Sequence, residues 1–563
     1  MTGVRSRRAH RFVDRALSRH LRIAPPTVDY LVHRAVGIPM RDGAVLRATH
    51  YAPDLDKPLG TILVRGPYGR SFPFSLVYAR LYAARGYHVV LQSVRGTFGS
   101  GGDFVPMVHE ADDAADTVVW LREQPWFTGS FATVGLSYLG FTQWALLSDP
   151  PPELAAAVVT VGPHDFYESS WGTGSFSLND FLSWSDSIAH QEEALARKLA
   201  LQNRAARRLD QAMHGLPLGS AGRGLLGANS PWYESWVEHP RGDDPFWDAM
   251  RMNSALDRSD VPVLLLSGWQ DLFLEQTLEQ YRRLRNRGVD VAMTVGPWTH
   301  SEMMTKAGGT AAAESLDWLG THLAGAPTTR RSRVRVYVAH HGWIDMPDWP
   351  PATGEGVLYL QPAGRLAAAR PPADATPSTF RYDPADPTPT VGGRFLTQNK
   401  SGYRDDSALA RRTDVLSFTS GPLDADLYVF GSPVVELAHD SDIGHVDLFV
   451  RISEVDARGR SRNVSDGYRR LNRPAPGPVR VELDAIAHRF PAGTQIRVLI
   501  AGGSHPRYAR NLGTGEPVLT GQRMVPALHT VRHGAGGLSR LILPASAGLP
   551  SADGGANPAG DLV

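Results

Sequence analysis

The 563-residue sequence contains no cysteine. Without thiols the chain has no disulfides, no thiolate nucleophile, no iron–sulfur cluster and no cysteine-ligated zinc site. Any nucleophile in this protein is therefore an oxygen or a nitrogen group. Lysine is also scarce among the cations, which disfavours Schiff-base chemistry.

Long apolar runs and an excess of one charge sign are missing as well. No segment approaches the ~18 consecutive apolar residues of a membrane-spanning helix, and no apolar run of secretory-signal length follows the arginine-rich N-terminus. We therefore expect a cytoplasmic protein with no membrane span. The 58 basic and 57 acidic residues give a net charge of +1, which argues against nucleic acid as a partner. Neither an HExxH motif nor a dinucleotide-binding glycine pattern is present, so we expect no metal and no cofactor.

Residues 30–162 and 251–328 are predicted to form one α/β domain. The composition, 42% hydrophobic and 20% charged, is that of a globular chain. Short β-branched strands alternate with amphipathic helices in both segments, which indicates a mainly parallel sheet covered on both faces. The strands are expected at 60–66, 87–94, 131–137, 154–162, 261–269 and 289–298, and the main helices at 109–124, 138–148, 274–287 and 311–324.

Four further segments surround this domain in the prediction. Residues 163–250 are rich in Trp, Phe, Gly and Ser around a long helix near 189–214, and we interpret them as an inserted helical cap. Residues 329–545, beginning with a strand at 333–340, contain strands separated by Gly, Pro and Asp turns, which indicates a β-sandwich. Residues 1–29 form a basic leader, either frayed or packed on the body, with a contact to an acidic surface as the alternative. Residues 546–563 are predicted to be a flexible tail.

The sequence Gly135-Leu136-Ser137-Tyr138-Leu139-Gly140 lies where a predicted strand turns into a helix. A serine on such an elbow projects its hydroxyl above the sheet, and the helix N-terminus directs free N–H groups to the same point. Leu139 stands where the G-x-S-x-G pattern has its second glycine. Taken alone, the motif fits a nucleophile and a plain packing turn equally well.

A serine nucleophile requires a base and an acid that orients this base. In α/β-hydrolase sheets these residues follow in the order Ser, Asp or Glu, His, each after a later strand. Asp271 is the first ionisable residue after strand 261–269, and His300 is the next titratable residue after strand 289–298. Asp271 also fits the N-cap of the following helix, but the three coincident placements favour a catalytic triad.

Tyr68 is a candidate second donor to an oxyanion. It lies in a loop framed by Pro67 and Gly69 after an early strand, and its phenol carries an O–H group. An aromatic ring that closes the edge of the core is an equally good interpretation of this residue.

Several motifs together resemble the bacterial cocaine esterase family, which includes α-amino acid ester hydrolases, glutaryl-cephalosporin acylases and X-prolyl dipeptidyl peptidases. They are RGPYGR (65–70), GYHVVLQSVRGTFGSGGDFVP (86–106), GLSYLGFTQW (135–144), GWQD (268–271), GPWTHS (296–301), SDGYRRL (465–471) and HPRYARNLGTGEP (505–517). The resemblance implies an α/β-hydrolase domain with an inserted cap and a C-terminal jelly roll. It also implies that Leu139 is the family's own elbow variant, whereas Ser93 stands where relatives usually carry Asp.

Roles for individual residues follow from the same resemblance. It implies Ser137 as nucleophile, His300 as base, Asp271 as orienting acid, and the Tyr68 hydroxyl with the Tyr138 backbone N–H as oxyanion hole.

The resemblance further implies a substrate pocket with aromatic walls. Phe273 matches the wall of the acyl pocket in cocaine esterase, and Trp171 occupies a cap position where that enzyme has a tryptophan. α-Amino acid ester hydrolases carry acids two and three residues after the triad Asp, where this chain has Phe273 and Leu274, so substrates with an α-ammonium group are disfavoured. Trp184, Phe166 and Phe395 are further candidates, for which core packing is the favoured alternative.

We therefore predict a serine carboxylic ester hydrolase that forms an acyl-enzyme on small esters with an apolar or aromatic acyl group. The alternatives are an acylase, amidase or X-prolyl peptidase of the same mechanism, or a non-catalytic binding protein on a hydrolase fold. The cap and jelly-roll surfaces are compatible with a homodimer.

Overall fold

A computed structural model describes residues 7–193, 206–397, 399–473 and 477–550 of the chain. Parts of the predicted leader, of the long cap helix and of the tail lie outside these described residues. Within them, the structure contains a mixed ten-stranded sheet flanked by helices, a helical insertion, and a C-terminal β-rich region.

The ten-stranded sheet has the order β1-β2-β4-β3-β5-β6-β7-β8-β9-β10. The strands from β4 to β9 in this spatial order run parallel to one another, whereas β1, β2 and β10 run antiparallel to their neighbours. The strands are β1 Tyr30–Pro39, β2 Val45–Pro53, β3 Thr61–Gly66, β4 His88–Ser93, β5 Phe131–Leu136, β6 Leu154–Thr160, β7 Val263–Gln270, β8 Val291–Thr299, β9 Val334–Val338 and β10 Gly342–Met346.

The central strands are buried on both faces, as their nearly continuous apolar sequences predict. Every residue of β3, β4, β5 and β7 is buried. The helices of the described residues are α1 Arg7–Leu21, α2 Leu81–Ala83, α3 Glu110–Arg122, α4 Tyr138–Leu147, α5 Phe166–Trp171, α6 Leu178–Ala189, α7 (helical residues 206–214), α8 Leu218–Leu226, α9 Trp232–Glu238, α10 Asn253–Arg258, α11 Leu274–Asn286 and α12 Gly308–His322, with a π-helix at Ser75–Arg80 and short 3-10 helices at Pro245–Met250, His300–Met304, Pro362–Gly364 and Leu409–Arg411.

The chain between β6 and β7 forms a helical insertion, built from α5 to α9, next to the carboxyl ends of the parallel strands. Its core is aromatic: Phe166 packs against Trp236 with ring centroids 4.6 Å apart and against Phe181 at 4.9 Å. Of the predicted long helix near 189–214, the structure describes α6 ending at Ala189 and helical residues 206–214, while 194–205 lie outside the described residues.

The first strand assigned to the sandwich from its sequence belongs to the hydrolase sheet instead. β9 pairs in parallel with β8, with Met293 opposite Val334, and β10 closes this edge as a hairpin. The alternating sequence of β9 predicts a strand correctly, but alternation does not state which sheet a strand joins, because a half-buried strand of either sheet has the same pattern.

The C-terminal region is all β, and the fold class predicted from the sequence, an α/β-hydrolase domain with an all-β jelly roll, is confirmed. One sheet of eleven strands and one of three, in the order β13-β23-β17, enclose an apolar core of Val, Leu, Ile and Phe side chains. The strands are β11 Gly354–Gln361, β12 Arg365–Ala367, β13 Ser378–Tyr382, β14 Val415–Thr419, β15 Leu427–Gly431, β16 Val434–Leu437, β17 His439–Ser441, β18 Val446–Val455, β19 Ser461–Leu471, β20 Val479–Glu482, β21 Ile486–Phe490, β22 Gln495–Ala501, β23 Ala527–Val531 and β24 Arg540–Ser546.

The N-terminal helix α1 packs on the α/β domain. Its buried Asp14 accepts hydrogen bonds from the Tyr30 hydroxyl at 3.0 Å and from the Arg80 guanidinium at 2.9 Å. Of the two alternatives for the leader, a frayed segment and a packed helix, the described residues therefore adopt the second.

Candidate active site

Ser137 lies on a sharp turn between β5 and α4 at the centre of the sheet. Its backbone has φ 56° and ψ −122°, a region that residues with a Cβ rarely adopt. Its amide donates to the Thr160 carbonyl at 2.9 Å, and its carbonyl accepts from the Gly140 amide at 2.8 Å. These bonds hold the strained turn, which points the hydroxyl away from the sheet.

Two glycines permit this turn by letting backbones approach closely. A Cβ atom on Gly135 would lie 2.4 Å from the Leu139 Cβ, and one on Gly140 would lie 2.5 Å from the Gly162 Cα. Helix α4 can therefore pack directly against its own strand and against the segment after β6. Leu139 occupies the position of the missing second glycine without obstructing the turn.

Three side chains that are distant in sequence form one hydrogen-bonded chain. The Ser137 Oγ lies 3.0 Å from His300 Nε2, and His300 Nδ1 lies 2.6 Å from Asp271 Oδ1. With the carboxylate as acceptor, Nδ1 carries the imidazole proton and Nε2 is free to accept from the serine hydroxyl. His300 is 7% exposed and Asp271 is fully buried, so the chain is shielded from water except at its serine end.

Local structure fixes Asp271 and His300 in place. The second carboxylate oxygen of Asp271 accepts the Phe273 backbone N–H at 2.8 Å. The N-cap of α11 is Phe273, so the alternative interpretation of Asp271 as the N-cap is wrong. His300 begins a 3-10 helix, and Glu302 in its first turn accepts the Thr299 amide at 3.0 Å. Both residues therefore stand where a parallel strand ends, as expected for functional groups on such a sheet.

Tyr68 reaches the serine from the loop after β3. The Trp184 indole N–H donates to the Tyr68 hydroxyl at 3.1 Å, and Phe74 stacks on the phenol with centroids 5.2 Å apart. Burial raises the pKa of Tyr68, although hydrogen bonding with Trp184 and Ser137 opposes the shift. Because the oxygen already accepts from Trp184, its own O–H is available to a group above Ser137.

The backbone N–H and the side chain of Tyr138 have different contacts. Its backbone N–H is the first in α4 and has no acceptor within the helix. Its side-chain hydroxyl donates to Glu110 Oε1 at 2.8 Å and accepts the Met107 amide at 2.8 Å. The ring also lies parallel to that of Trp184 at 6.1 Å.

Beneath the elbow lies a buried ion pair that the sequence did not reveal. Glu110 lies 3.1 Å from the Arg65 guanidinium, and both side chains are buried. Burial raises the pKa of Glu110, and the nearby Arg65 charge opposes that shift. In the sequence, Glu110 appears only as one of several first-turn acids of a helix, so no pattern distinguishes it from solvent-facing neighbours.

Asp180 of the cap is a second acid that the sequence did not reveal. It is buried, accepts the Leu396 backbone N–H at 2.8 Å, and lies close enough to His300 for their charges to interact. Burial raises the pKa of Asp180, and these contacts oppose the shift. Helix α6 contains two acids, Asp180 and Asp186, and nothing in the sequence distinguishes the one that lies near His300.

A cavity of about 600 Å³ adjoins this part of the site, between the cap, α11 and the jelly roll. Leu272, the neighbour of Asp271, and Asp180 belong to its wall. Eight carboxylic acids and three arginines line the cavity, so its formal charge is negative. They are Asp165, Glu168, Asp180, Glu275, Glu279, Asp466, Glu482 and Asp484 with Arg283, Arg394 and Arg507.

The predicted pocket residues divide into two groups. Phe273 meets the His300 ring edge to face at 5.4 Å, and Trp184 contacts both Tyr68 and Tyr138, so these two lie at the site. Trp171 donates its indole N–H to the Trp236 carbonyl at 2.8 Å and, like Phe166, is buried in the aromatic core of the cap. Their packing is that of core residues, and their role as pocket walls stays a prediction.

The positions of Phe395 and Ser93 are also defined. Phe395 is buried, and the carbonyl of the next residue, Leu396, accepts a hydrogen bond at 3.4 Å from the hydroxyl of Ser301, the neighbour of His300. Ser93 accepts a hydrogen bond from the Arg70 guanidinium. A neutral hydroxyl thus faces an arginine at this position.

Comparison with known proteins gives matches over most of the chain. The model of the X-Pro dipeptidyl-peptidase (S15 family) matches residues 42–302, and the model of the X-Pro dipeptidyl-peptidase C-terminal non-catalytic domain matches residues 326–542. The chain is 29% identical to cocaine esterase of Rhodococcus sp. (strain MB1 Bresler) over 574 residues, which cover 92% of this chain and 99% of that protein.

Solved structures show the same fold. An aminopeptidase from a marine sediment archaeon, Thaumarchaeota archaeon, superposes with a TM-score of 0.79 at 22% identity, over 91% of this chain and 96% of that one. An α-amino acid ester hydrolase superposes with a TM-score of 0.77 at 23% identity, over 93% and 98% of the two chains. In the part of the chain that the structure describes, none of the helices has the length and apolar character needed to span a bilayer.

Proposed function

Because this chain is a serine ester hydrolase similar to cocaine esterase, and because it matches the models of the X-Pro dipeptidyl-peptidase (S15 family) and of its C-terminal non-catalytic domain, we propose that it cleaves carboxylic esters through an acyl-enzyme on Ser137. The observation that carries the proposal is the Asp271–His300–Ser137 hydrogen-bonded chain at the strained elbow. A serine used only for packing has no need of a base and an oriented carboxylate within hydrogen-bond distance.

In the first half-reaction, His300 Nε2 takes the proton of the Ser137 hydroxyl while Oγ attacks the ester carbonyl. The tetrahedral intermediate then collapses, the bond to the alkoxy oxygen breaks, and the imidazolium gives its proton to the departing alcohol. In the second half-reaction, His300 takes a proton from water, whose oxygen attacks the acyl carbon. Ser137 recovers its proton from the imidazolium as the acid leaves.

The negative charge that develops on the carbonyl oxygen is stabilised by two donors, the Tyr68 hydroxyl and the Tyr138 backbone N–H. The raised pKa of Tyr68 keeps the phenol protonated at neutral pH, the form that donates. The positive end of α4 acts at the same point. Donors held in advance toward an oxyanion are among the largest contributions to this class of catalysis.

Covalent labelling with a fluorophosphonate probe tests the nucleophile directly. We expect one label per chain on the parent protein and none on Ser137→Ala, because the probe reacts with an activated serine hydroxyl. A folded parent protein that remains unlabelled and hydrolyses no p-nitrophenyl ester would contradict the proposal and favour the non-catalytic binding protein.

For the acyl group, we propose apolar or aromatic substituents as the first candidate. Phe273 supports this because its ring meets the edge of the base, and Trp184 lies beside the oxyanion donor. A comparison of p-nitrophenyl esters with short aliphatic, branched and aromatic acyl groups tests this preference. Equal kcat/KM for acetyl and benzoyl esters, in both the parent and Phe273→Ala, would contradict a role for this aromatic wall.

A second candidate is hydrolysis of amides or of amino-acyl substrates, including X-Pro peptides. The acid-rich cavity beside Asp180 favours it, since a negative cavity near the base suits a substrate ammonium group. X-Pro-nitroanilides and amino-acid esters, assayed beside the neutral esters, separate the two candidates. If Asp180→Asn lowers kcat/KM for a cationic substrate tenfold or more and leaves a neutral ester unchanged, the second candidate is the correct one.

A further inference from the structure

A histidine–glutamate–histidine cluster lies apart from the serine site, where the α/β domain meets the jelly roll. Glu454 Oε2 is 2.9 Å from His488 Nε2 and 3.1 Å from His340 Nε2. One ligand-type atom from each residue lies within 4.8 Å of the other two. We call these residues the His340–Glu454–His488 cluster.

Three separate chain segments bring the cluster together. His340 belongs to the tight turn between β9 and β10, Glu454 lies near the end of β18, and His488 lies on β21. Backbone bonds hold the turn against β21: the Ala339 amide donates to the Ala487 carbonyl at 3.0 Å, and the Arg489 amide donates to the Ala339 carbonyl at 3.2 Å. The side chains are therefore positioned by ordered backbone.

Other histidine pairs in the molecule have a different arrangement. His50 Nε2 lies 3.0 Å from His88 Nδ1, and His439 Nε2 lies 3.0 Å from His529 Nδ1, so in each of these pairs one imidazole bonds to another. In the His340–Glu454–His488 cluster, both imidazoles direct the same nitrogen, Nε2, toward one carboxylate oxygen. Convergence of like atoms on one point is the geometry of a ligand set.

We propose that the His340–Glu454–His488 cluster is a binding site for a divalent transition-metal ion, with Zn²⁺ as its best match. Two imidazole nitrogens and one carboxylate form a ligand set that zinc accepts, at about 2.0–2.2 Å from each donor atom. Tetrahedral donors at those distances lie about 3.3 Å apart, so the present spacing of 2.9 and 3.1 Å needs only a small expansion. To bind, each imidazole shifts its proton from Nε2 to Nδ1.

The fourth coordination position would face a cleft of about 380 Å³ whose walls include Tyr403, Asn463 and Arg462. The positive charge of the Arg462 guanidinium disfavours a cationic group as the fourth ligand and favours water or a small anion. Trp269 and Tyr337, at the ends of β7 and β9, also line the cleft. The ion would thus bridge the edge of the catalytic sheet and two jelly-roll strands, and it would stabilise the folded protein because the unfolded chain has no such preformed site.

Metal content and thermal stability of the full-length protein test the proposal. The protein is treated with a chelator, equilibrated with ZnSO₄, passed through a desalting column and analysed for zinc by mass spectrometry. We expect about one zinc per chain and a rise in melting temperature with added zinc. Glu454→Gln and His340→Asn should each lose the bound zinc and the rise in melting temperature.

His341→Ala is the matched control, because His341 is the exposed neighbour of His340 in the same turn and is not a member of the cluster. This variant should retain the full zinc content. Retention of zinc by Glu454→Gln and His340→Asn, or an equal loss in His341→Ala, would overturn the proposal.

Cobalt provides a readout that does not depend on stability. Co²⁺ added to the chelated protein should give the visible absorption bands of a four-coordinate nitrogen–oxygen site in the parent and in His341→Ala, but not in His340→Asn. Because His340 lies on a partly exposed turn, its replacement should preserve the fold even where a change at the more buried His488 would not. An unchanged parent spectrum on cobalt addition, with no zinc retained, would show that the cluster is only a hydrogen-bond network.

Discussion

Two groups of histidine and carboxylate in this molecule look alike in composition and differ in how their atoms are directed. In the first, Asp271, His300 and Ser137 form a line, so each nitrogen of the single imidazole has its own partner. In the second, His340 and His488 both point at one oxygen of Glu454. The first arrangement allows a proton to pass from the Ser137 hydroxyl to His300, whereas in the second arrangement two imidazole nitrogens converge on one carboxylate oxygen.

The two groups also differ in the backbone conformation that holds their side chains. Ser137 holds a rare conformation at φ 56° between a central strand and a helix, and this strain serves to present one hydroxyl. The Glu454 and His488 side chains project from regular strands of the jelly roll. Residue composition therefore does not distinguish a proton relay from a ligand set, but the direction of each donor and acceptor does.

The largest expected effect comes from breaking the line at its serine end. Ser137→Ala and Ser137→Gly should each lower kcat for p-nitrophenyl esters on the order of 10⁶-fold, because neither variant has a nucleophile. The two should differ in stability: glycine adopts the elbow conformation without strain, so Ser137→Gly should exceed Ser137→Ala in free energy of unfolding by about 1 kcal/mol. Urea denaturation of both variants measures the difference, and an equal or reversed order would show that the elbow is not strained.

The next effect compares the two carboxylates directly. Asp271→Asn should lower kcat by about 10⁴-fold, because the amide favours the wrong imidazole tautomer. Glu454→Gln makes the same chemical change in the other group and should leave kcat within a few-fold of the parent. Steady-state kinetics on one ester decides the matter. A loss of less than tenfold in Asp271→Asn, or a loss as large in Glu454→Gln, would remove the distinction between the groups.

A smaller effect is expected at the oxyanion side of the line. Tyr68→Phe should lower kcat by about 10²–10³-fold with little change in KM, because it removes a donor that acts on the transition state. Trp184→Phe keeps an aromatic ring but removes the N–H that orients the Tyr68 hydroxyl, so its loss should be smaller. Turnover of Tyr68→Phe within a few-fold of the parent would return Tyr68 to the role of a packing residue.

The sequence predicted the parts of the fold that depend on local pattern. Apolar runs predict buried strands such as β5 and β7, and glycine spacing predicts the strand-to-helix elbow. In a parallel sheet each of these local patterns fits one arrangement. The placement of β9 was wrong because its alternating pattern fits a half-buried strand of either sheet. The partner of such a strand is decided by contacts distant in sequence, which a single-sequence pattern does not contain.

For the site, too, the sequence predicted what depends on local pattern and missed what depends on contacts distant in sequence. The convergence of Ser137, Asp271 and His300 could be predicted because each directly follows a strand, and a position after a strand can be identified in the sequence. Glu110 and Asp180 were missed, since their importance comes from burial, and an acid in a helix has the same appearance whether it faces water or the core. The cap residues Trp171 and Phe166 show the converse, because aromatic composition alone does not separate a pocket wall from a packed interior.

The smallest expected effect is the pH dependence of the stability that Glu454 contributes in the His340–Glu454–His488 cluster. The Glu454 pKa is about 2 in the folded protein against the ordinary 4.5, so the unfolded chain binds its proton first as the pH falls. The carboxylate therefore contributes stability above pH 4.5, and this contribution disappears as the pH falls toward 2. His340 and His488 face this carboxylate. Because Glu454 acts to raise the pKa of His488, its replacement also changes how this histidine titrates, and the test therefore uses the acid range in which the carboxylate itself titrates. The difference in free energy of unfolding between the parent and Glu454→Gln, measured by urea denaturation with a chelator present, should shrink between pH 4.5 and 3. A difference that stays constant over this range would mean that Glu454 does not depend on its histidine partners for its charge.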